Sequence, residues 1–197
     1  MAGYRIAVAG YRQTCSLCQA RFALPPSADK RSRAERQSEA LSAQTGFLCV
    51  TEPDPLRRTL SHSLLRHGIA ALTVELGESY VVNETNVELG VQAVFNVLQN
   101  LKMVARTGEP FAYPVPEEIR YKPLTYSQQP TSSTSGIIRF LVRPGTVVQA
   151  GQPVAKIVNA FGRHLETIHV QRDAVVLGLS DSSVAYPGAP IMAFGQL

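Results

Sequence analysis

The sequence predicts an α/β segment followed by a small all-β, barrel-like domain, and three observations carry that prediction. Between residues 46 and 104, apolar runs of strand length alternate with stripes of helical period. From Gly136 onward, short β-branched runs recur between turns rich in Pro and Gly. Residues 105–135 differ from both, with prolines at 110, 114, 116, 123 and 130 and the run Thr131-Ser132-Ser133-Thr134-Ser135, the composition of a linker or irregular crossover. The expected domains are therefore 1–104, with 1–45 the least legible part, a connecting 105–135, and 136–197.

Each element has a local reason. Ile6-Ala7-Val8-Ala9 reads as a short strand, and Ser27 to Gln44 as a polar, Arg-rich helix capped by Ser27 or Asp29. Phe47-Leu48-Cys49-Val50, bounded by Gly46 and Glu52-Pro53, reads as a buried strand. Asp54-Pro55 is a helix start, with Leu56, Leu60, Leu64 and Leu65 as its stripe and His67-Gly68 as its end. Ile69 to Leu76 is an apolar strand holding one acid, Glu75. After a turn at Gly77, Asn83 or Thr85 caps a second helix running to about Met103, whose expected core face is Val87, Val91, Val94, Phe95, Leu98 and Leu101. Strand–helix alternation of this kind points to a mostly parallel sheet covered by helices. In the last part, residues 137–142, 147–148, 154–158, 167–170, 174–177 and 191–194 read as strands of a small barrel or sandwich.

Composition narrows the function classes. With 197 residues, 17% charged and 45% hydrophobic, the chain has enough apolar material for a core. No apolar run approaches the ~20 residues of a membrane helix, so no membrane association is expected. The apolar stretch near the start, Ile6 to Gly10, is too short for a secretory leader. Three cysteines without a leader suggest reduced thiols and a cytoplasmic protein. Cys15 and Cys18 form a C-x-x-C, but no second pair follows at zinc-finger spacing. Of the net +4, residues 1–67 carry ten basic and five acidic side chains, while the remainder carries nine and ten. Glu35 and Glu39 stand among those arginines as on a solvated helix face, and no aromatic interleaving or known motif accompanies the charge, so no nucleic-acid partner is expected.

Two stretches resemble the succinylglutamate desuccinylase/aspartoacylase family, zinc-dependent amide hydrolases with a carboxypeptidase-like catalytic domain. The first runs from Thr59-Leu60 through Gly68 and Thr73-Val74-Glu75-Leu76-Gly77 to Val87-Glu88-Leu89-Gly90-Val91 and Asn96-Val97-Leu98. The second, in the manner of the β domain that follows in many members, comprises Ser135-Gly136-Ile137, Val142-Arg143-Pro144-Gly145, Gly151-Gln152-Pro153-Val154-Ala155 and Tyr186-Pro187-Gly188. The resemblance implies a partial carboxypeptidase-like mixed or parallel sheet, hydrolysis of a small N-acyl amide of the N-acyl amino acid type, and Glu75 as the general base. The residues themselves support a ligand-facing position, because a lone carboxylate at the end of an apolar strand sits where open α/β sheets bind. The alternative for Glu75 is an ion pair with a residue such as Arg66.

The resemblance also implies zinc, yet the family's His-x-x-Glu does not occur. His62, His67, His164 and His169 are followed three residues later by Leu65, Ala70, Thr167 and Arg172. Members often have Thr-Leu-Arg before the glutamate strand, and here Ser61 takes the third place. Family enzymes run to on the order of 300 residues. The chain is thus read as a family member without the zinc-ligand half, with zinc expected to be absent, and either truncated and inactive or a non-catalytic protein that assembles through its β module and sheet edge. Homo-oligomerisation is expected from exposed edges around 47–50 and 69–76. A biotinyl- or lipoyl-carrier role is disfavoured, because Lys156 lies inside a strand rather than at a hairpin tip.

Overall fold

A computed structural model describes residues 5–8, 19–23, 33–52, 59–77, 82–120 and 122–197. Asp54-Pro55, the caps Ser27 and Asp29, and the Cys15/Cys18 pair lie outside these. The chain divides into two units, one ending at Leu124 and the other comprising Thr125–Leu197.

The first unit is built on four strands, β1 (Arg5–Val8), β2 (Gln19–Ala23), β3 (Leu48–Glu52) and β4 (Ala71–Glu75). They lie in the order β1-β4-β2-β3. The β1/β4 and β2/β3 pairs are parallel and β2/β4 is antiparallel, so the sheet is mixed. All five residues of β4 are buried, as a strand flanked on both edges and covered on both faces requires. Leu72 and Val74 pack with Leu41 of α1 (Arg33–Gln44) and with Ala93 and Val97 of α3 (Glu84–Asn100). On the opposite face, the Thr73 hydroxyl lies 3.0 Å from that of Ser61 on α2 (Leu60–Arg66). Alternation along the strand thus distributes the helices to two layers.

Side-chain oxygens fix how the helices begin and dock. Thr59 Oγ1 accepts from the His62 amide at 3.2 Å and caps α2, which begins at Leu60. His67 ends it, with Gly68 at φ +73° behind. Asn83 Oδ1 accepts from the Thr85 amide at 2.9 Å and caps α3. Ser38 Oγ donates to the Ala34 carbonyl and accepts from the Ala71 amide at 2.9 Å, which latches α1 to the start of β4.

The orientation of α3 departs from the sequence expectation. Gly90, Ala93, Asn96 and Val97 are the buried residues, while Val87, Val91, Val94 and Phe95 are 43, 50, 39 and 49% exposed. The helix carries two apolar stripes, and the one with small residues faces the sheet because it permits close approach. A Cβ at Gly90 would overlap the Leu76 side chain. Among the described residues α3 thus carries a run of exposed apolar side chains, whereas at 47–50 and 69–76 Phe47, Leu48, Val50 and Leu72 are at most 1% exposed.

Residues 105–135 hold α4 (Glu117–Arg120) and β5 (Leu124–Ser127). The Ser/Thr run is fastened rather than loose. Glu166 accepts from the Ser132 hydroxyl at 3.0 Å and from the Ser133 amide and hydroxyl, each at 3.0 Å, and Ser132 is 1% exposed.

The remaining strands are β6 (Gly136–Phe140), β7 (Val147–Val148), β8 (Pro153–Val158), β9 (His164–His169), β10 (Ala174–Leu179), β11 (Val184–Ala185) and β12 (Met192–Gln196). They form two antiparallel layers, β5-β12-β10-β7 and β11-β6-β8-β9. Ile138, Val154, Ile157 and Ile168 of one layer share a core with Val148, Val176, Met192 and Phe194 of the other. This is two sheets face to face, and no closed barrel is found, contrary to the barrel-like expectation. Two-residue strands at β7 and β11 offer too little ladder to carry either layer round into the other. Among the described residues, no helix is long and apolar enough to cross a membrane.

Candidate functional site

Glu75 is the last residue of β4, 9% exposed, and in register with Gln19 of β2. The chain then turns at Gly77, whose φ of +69° and close approach to the Asn86 side chain leave no room for a Cβ. Strand, glycine turn and helix α3 together place a carboxylate at the C-terminal edge of the central strand, where β4 and its parallel neighbour β1 both end.

Ala71, Thr73 and Glu75 alternate onto the α2 face of the strand. There, Thr73 Oγ1 lies 3.0 Å from Ser61 Oγ, which lies 3.0 Å from Thr59 Oγ1. The resulting chain of hydroxyls runs from the first turn of α2 to the residue two before Glu75. Ser61 is fully buried. The sequence marked Ser61 only as a departure from the family's arginine. Its hydroxyl link to the glutamate strand was missed, although Thr73 two places from Glu75, on the same strand face, was a signal for it. A neutral hydroxyl cannot neutralise a substrate carboxylate as a guanidinium does.

The four histidines have separate local settings. His67 is exposed and its Nδ1 lies 2.9 Å from the Ser63 carbonyl, a helix-end role. His164 Nε2 lies 2.8 Å from Thr167 Oγ1 on β9, and His169 is exposed on the same strand. His62 is half-buried on α2, with Nδ1 enclosed and without a hydrogen-bond partner. Among the described residues, no three of His, Cys, Asp and Glu come together as metal ligands. Zinc chemistry needs about three protein donors and an open position, so the described residues do not fit that metal.

Cys49 is buried on β3. Burial pushes its thiol up from the ordinary range, with a Ser42 hydrogen bond opposing the rise and Glu39 adding to it. In a Cys15→Ser/Cys18→Ser background, native protein is expected to resist a thiol reagent at neutral pH and to react on unfolding. A raised folded-state pKa contributes stability below the unfolded value and loses it as pH rises further. The urea midpoint should therefore fall above about pH 9, and a midpoint that rose there would contradict the burial.

The first unit, a mixed sheet with helices on both faces and a carboxylate ending β4, and the second, a two-layered β module, are together similar in fold to the succinylglutamate desuccinylase/aspartoacylase proteins. Such a protein from Rhodobacter sphaeroides has a similar structure, with a TM-score of 0.72 and 16% identity over 97% of this chain and 58% of its own. The product-bound ectoine utilization protein EutE from Ruegeria pomeroyi gives 0.72 and 12%, over 98% of this chain and 57% of its own. An aspartoacylase family protein from Mesorhizobium loti gives 0.66 and 16%, over 98% and 62%. At these identities the likeness is one of fold, and the chain spans only 57 to 62% of those three proteins. No protein-family model and no curated protein matches the sequence.

Proposed function

We propose that this chain carries the general-base part of an N-acyl amide hydrolase, acting on small N-acyl amino acid-type substrates, with Glu75 as the base. The observation that carries the reading is the burial of Glu75 at the C-terminal end of β4, directly before the Gly77 turn. In the reaction, Glu75 takes a proton from water as the water oxygen bonds to the acyl carbon. It returns that proton to the amide nitrogen as the C–N bond breaks, releasing a carboxylic acid and an amine. No step is routed through zinc, because the described donors do not assemble a site for it.

Zinc content and turnover of N-acetyl and N-succinyl amino acids by the purified chain test the proposal. Activity that falls about 10²–10⁴-fold in Glu75→Gln, with folding unchanged, is the expected result. An inactive, metal-free chain would overturn the enzymatic reading of this chain and favour a second one, a non-catalytic protein that works by assembly. The exposed apolar stripe on α3 is the observation on the side of that second reading.

A further inference from the structure

We propose that α3 is a self-association surface, pairing antiparallel with the same helix of a second copy of this chain. This does not depend on the chemistry assigned to Glu75. Val87, Val91, Val94 and Leu98 follow one another at spacings of four, three and four, the repeat of a coiled-coil seam. The three valines are 43, 50 and 39% exposed, Leu98 is half-buried, and Phe95 flanks them at 49%. Beside the seam opens an apolar cleft of about 320 Å³, whose further walls are Thr45, Val74, Leu76 and Gly90. Contiguous apolar surface of this kind on a soluble domain marks a binding face more often than idle surface.

The occupant follows from the symmetry and charge of the helix. An antiparallel pair about a two-fold axis between Gln92 and Ala93 sets Val87 against Leu98 and Val91 against Val94, so one sequence fills all four layers. The same axis brings the exposed Glu84 at the start of one helix beside the exposed Lys102 just past the end of the other. A parallel pair would leave Glu84 and Lys102 at opposite ends of the interface. Antiparallel packing also lays the two helix dipoles side by side and opposed, each positive end beside the other's negative end. Self-complementarity in both the seam and the charges points to a second copy of this chain.

Sedimentation velocity on the full chain at tens of micromolar tests this. The wild type is expected to be a dimer, and Val91→Glu a monomer with an unchanged far-ultraviolet spectrum, since residue 91 is half exposed. Glu84→Lys and Lys102→Glu should each weaken the dimer roughly fivefold, there being two such pairs per interface, and the double reversal should restore it. A monomeric wild type overturns the proposal, including one whose cleft instead takes up an apolar small molecule or another polypeptide. So does a dimer that survives Val91→Glu, or a double reversal that stays as weak as the single ones.

Discussion

Phe47→Ala is expected to lower the unfolding free energy by about 3–5 kcal/mol, the usual cost of emptying a buried aromatic site. Phe47 is 1% exposed and lies in the cluster formed by Leu41, Leu72, Val74 and Val97, the place where α1, α3 and β4 meet. Its ring stands edge-on to Phe111 at 5.3 Å and to Tyr113 at 5.9 Å, and each such pair adds about 0.5–1.5 kcal/mol beyond burial. Those two partners belong to the segment after α3, so the same ring fastens that segment to the core. Against a total stability of about 5–15 kcal/mol, the loss should appear as a large drop in urea midpoint. Phe161→Ala is the control: at 96% exposure it should change stability by less than about 0.5 kcal/mol. Equal effects from the two substitutions would refute the packing described for Phe47.

Asn96→Ala should cost about 3 kcal/mol by a different route. Asn96 is 5% exposed on the buried face of α3. Its Nδ2 donates to the Phe111 carbonyl at 2.7 Å and to the Thr45 carbonyl at 3.3 Å, and its Oδ1 accepts from the Phe111 amide at 3.0 Å. Alanine would strand three backbone groups, each costing about 1–3 kcal/mol when left unpaired, with partial relief from water. Gly46 completes the junction, because its φ of +83° lets the chain pass against the Phe111 carbonyl, where a Cβ would collide. Asn96→Asp is the sharper test. A carboxylate there would face two carbonyl oxygens, so its pKa in the folded state would rise. The variant should be weaker than Asn96→Ala at neutral pH and regain stability as acidification protonates the new group. Guanidinium or urea titrations at two pH values would read both effects, and a variant insensitive to pH would count against the geometry.

How much of this was legible in the sequence depends on the range of the interaction involved. A strand over 69–76, a turn from Gly77 and a helix cap at Asn83 or Thr85 were read from neighbours within a few residues, and the structure has the strand at Ala71–Glu75, the glycine turn and the cap at Asn83. The placement of Glu75 at the strand's end came with them. The hydroxyl chain from Thr59 through Ser61 to Thr73 was not read, because it joins residues up to fourteen positions apart that only the docking of α2 brings together. The fastening of the Ser/Thr run at 131–135, read as part of a linker or irregular crossover, was not legible for the same reason, since its partner Glu166 lies more than thirty residues on.

The sequence by itself determined that an apolar strand precedes Gly77, that a capped helix follows it, and that one carboxylate closes that strand. These follow from backbone sterics, capping oxygens and periodicity, all of them local. Only the tertiary structure decided that β2 runs against β4, that the last strands form two layers without closing, and that α3 turns its small residues inward and its valines out. A 3.6-residue repeat says that a helix has an apolar stripe. Where there are two, the one that meets the sheet is chosen by how closely the helix can approach, and Gly90 and Ala93 approach more closely than Val87 and Val91 can.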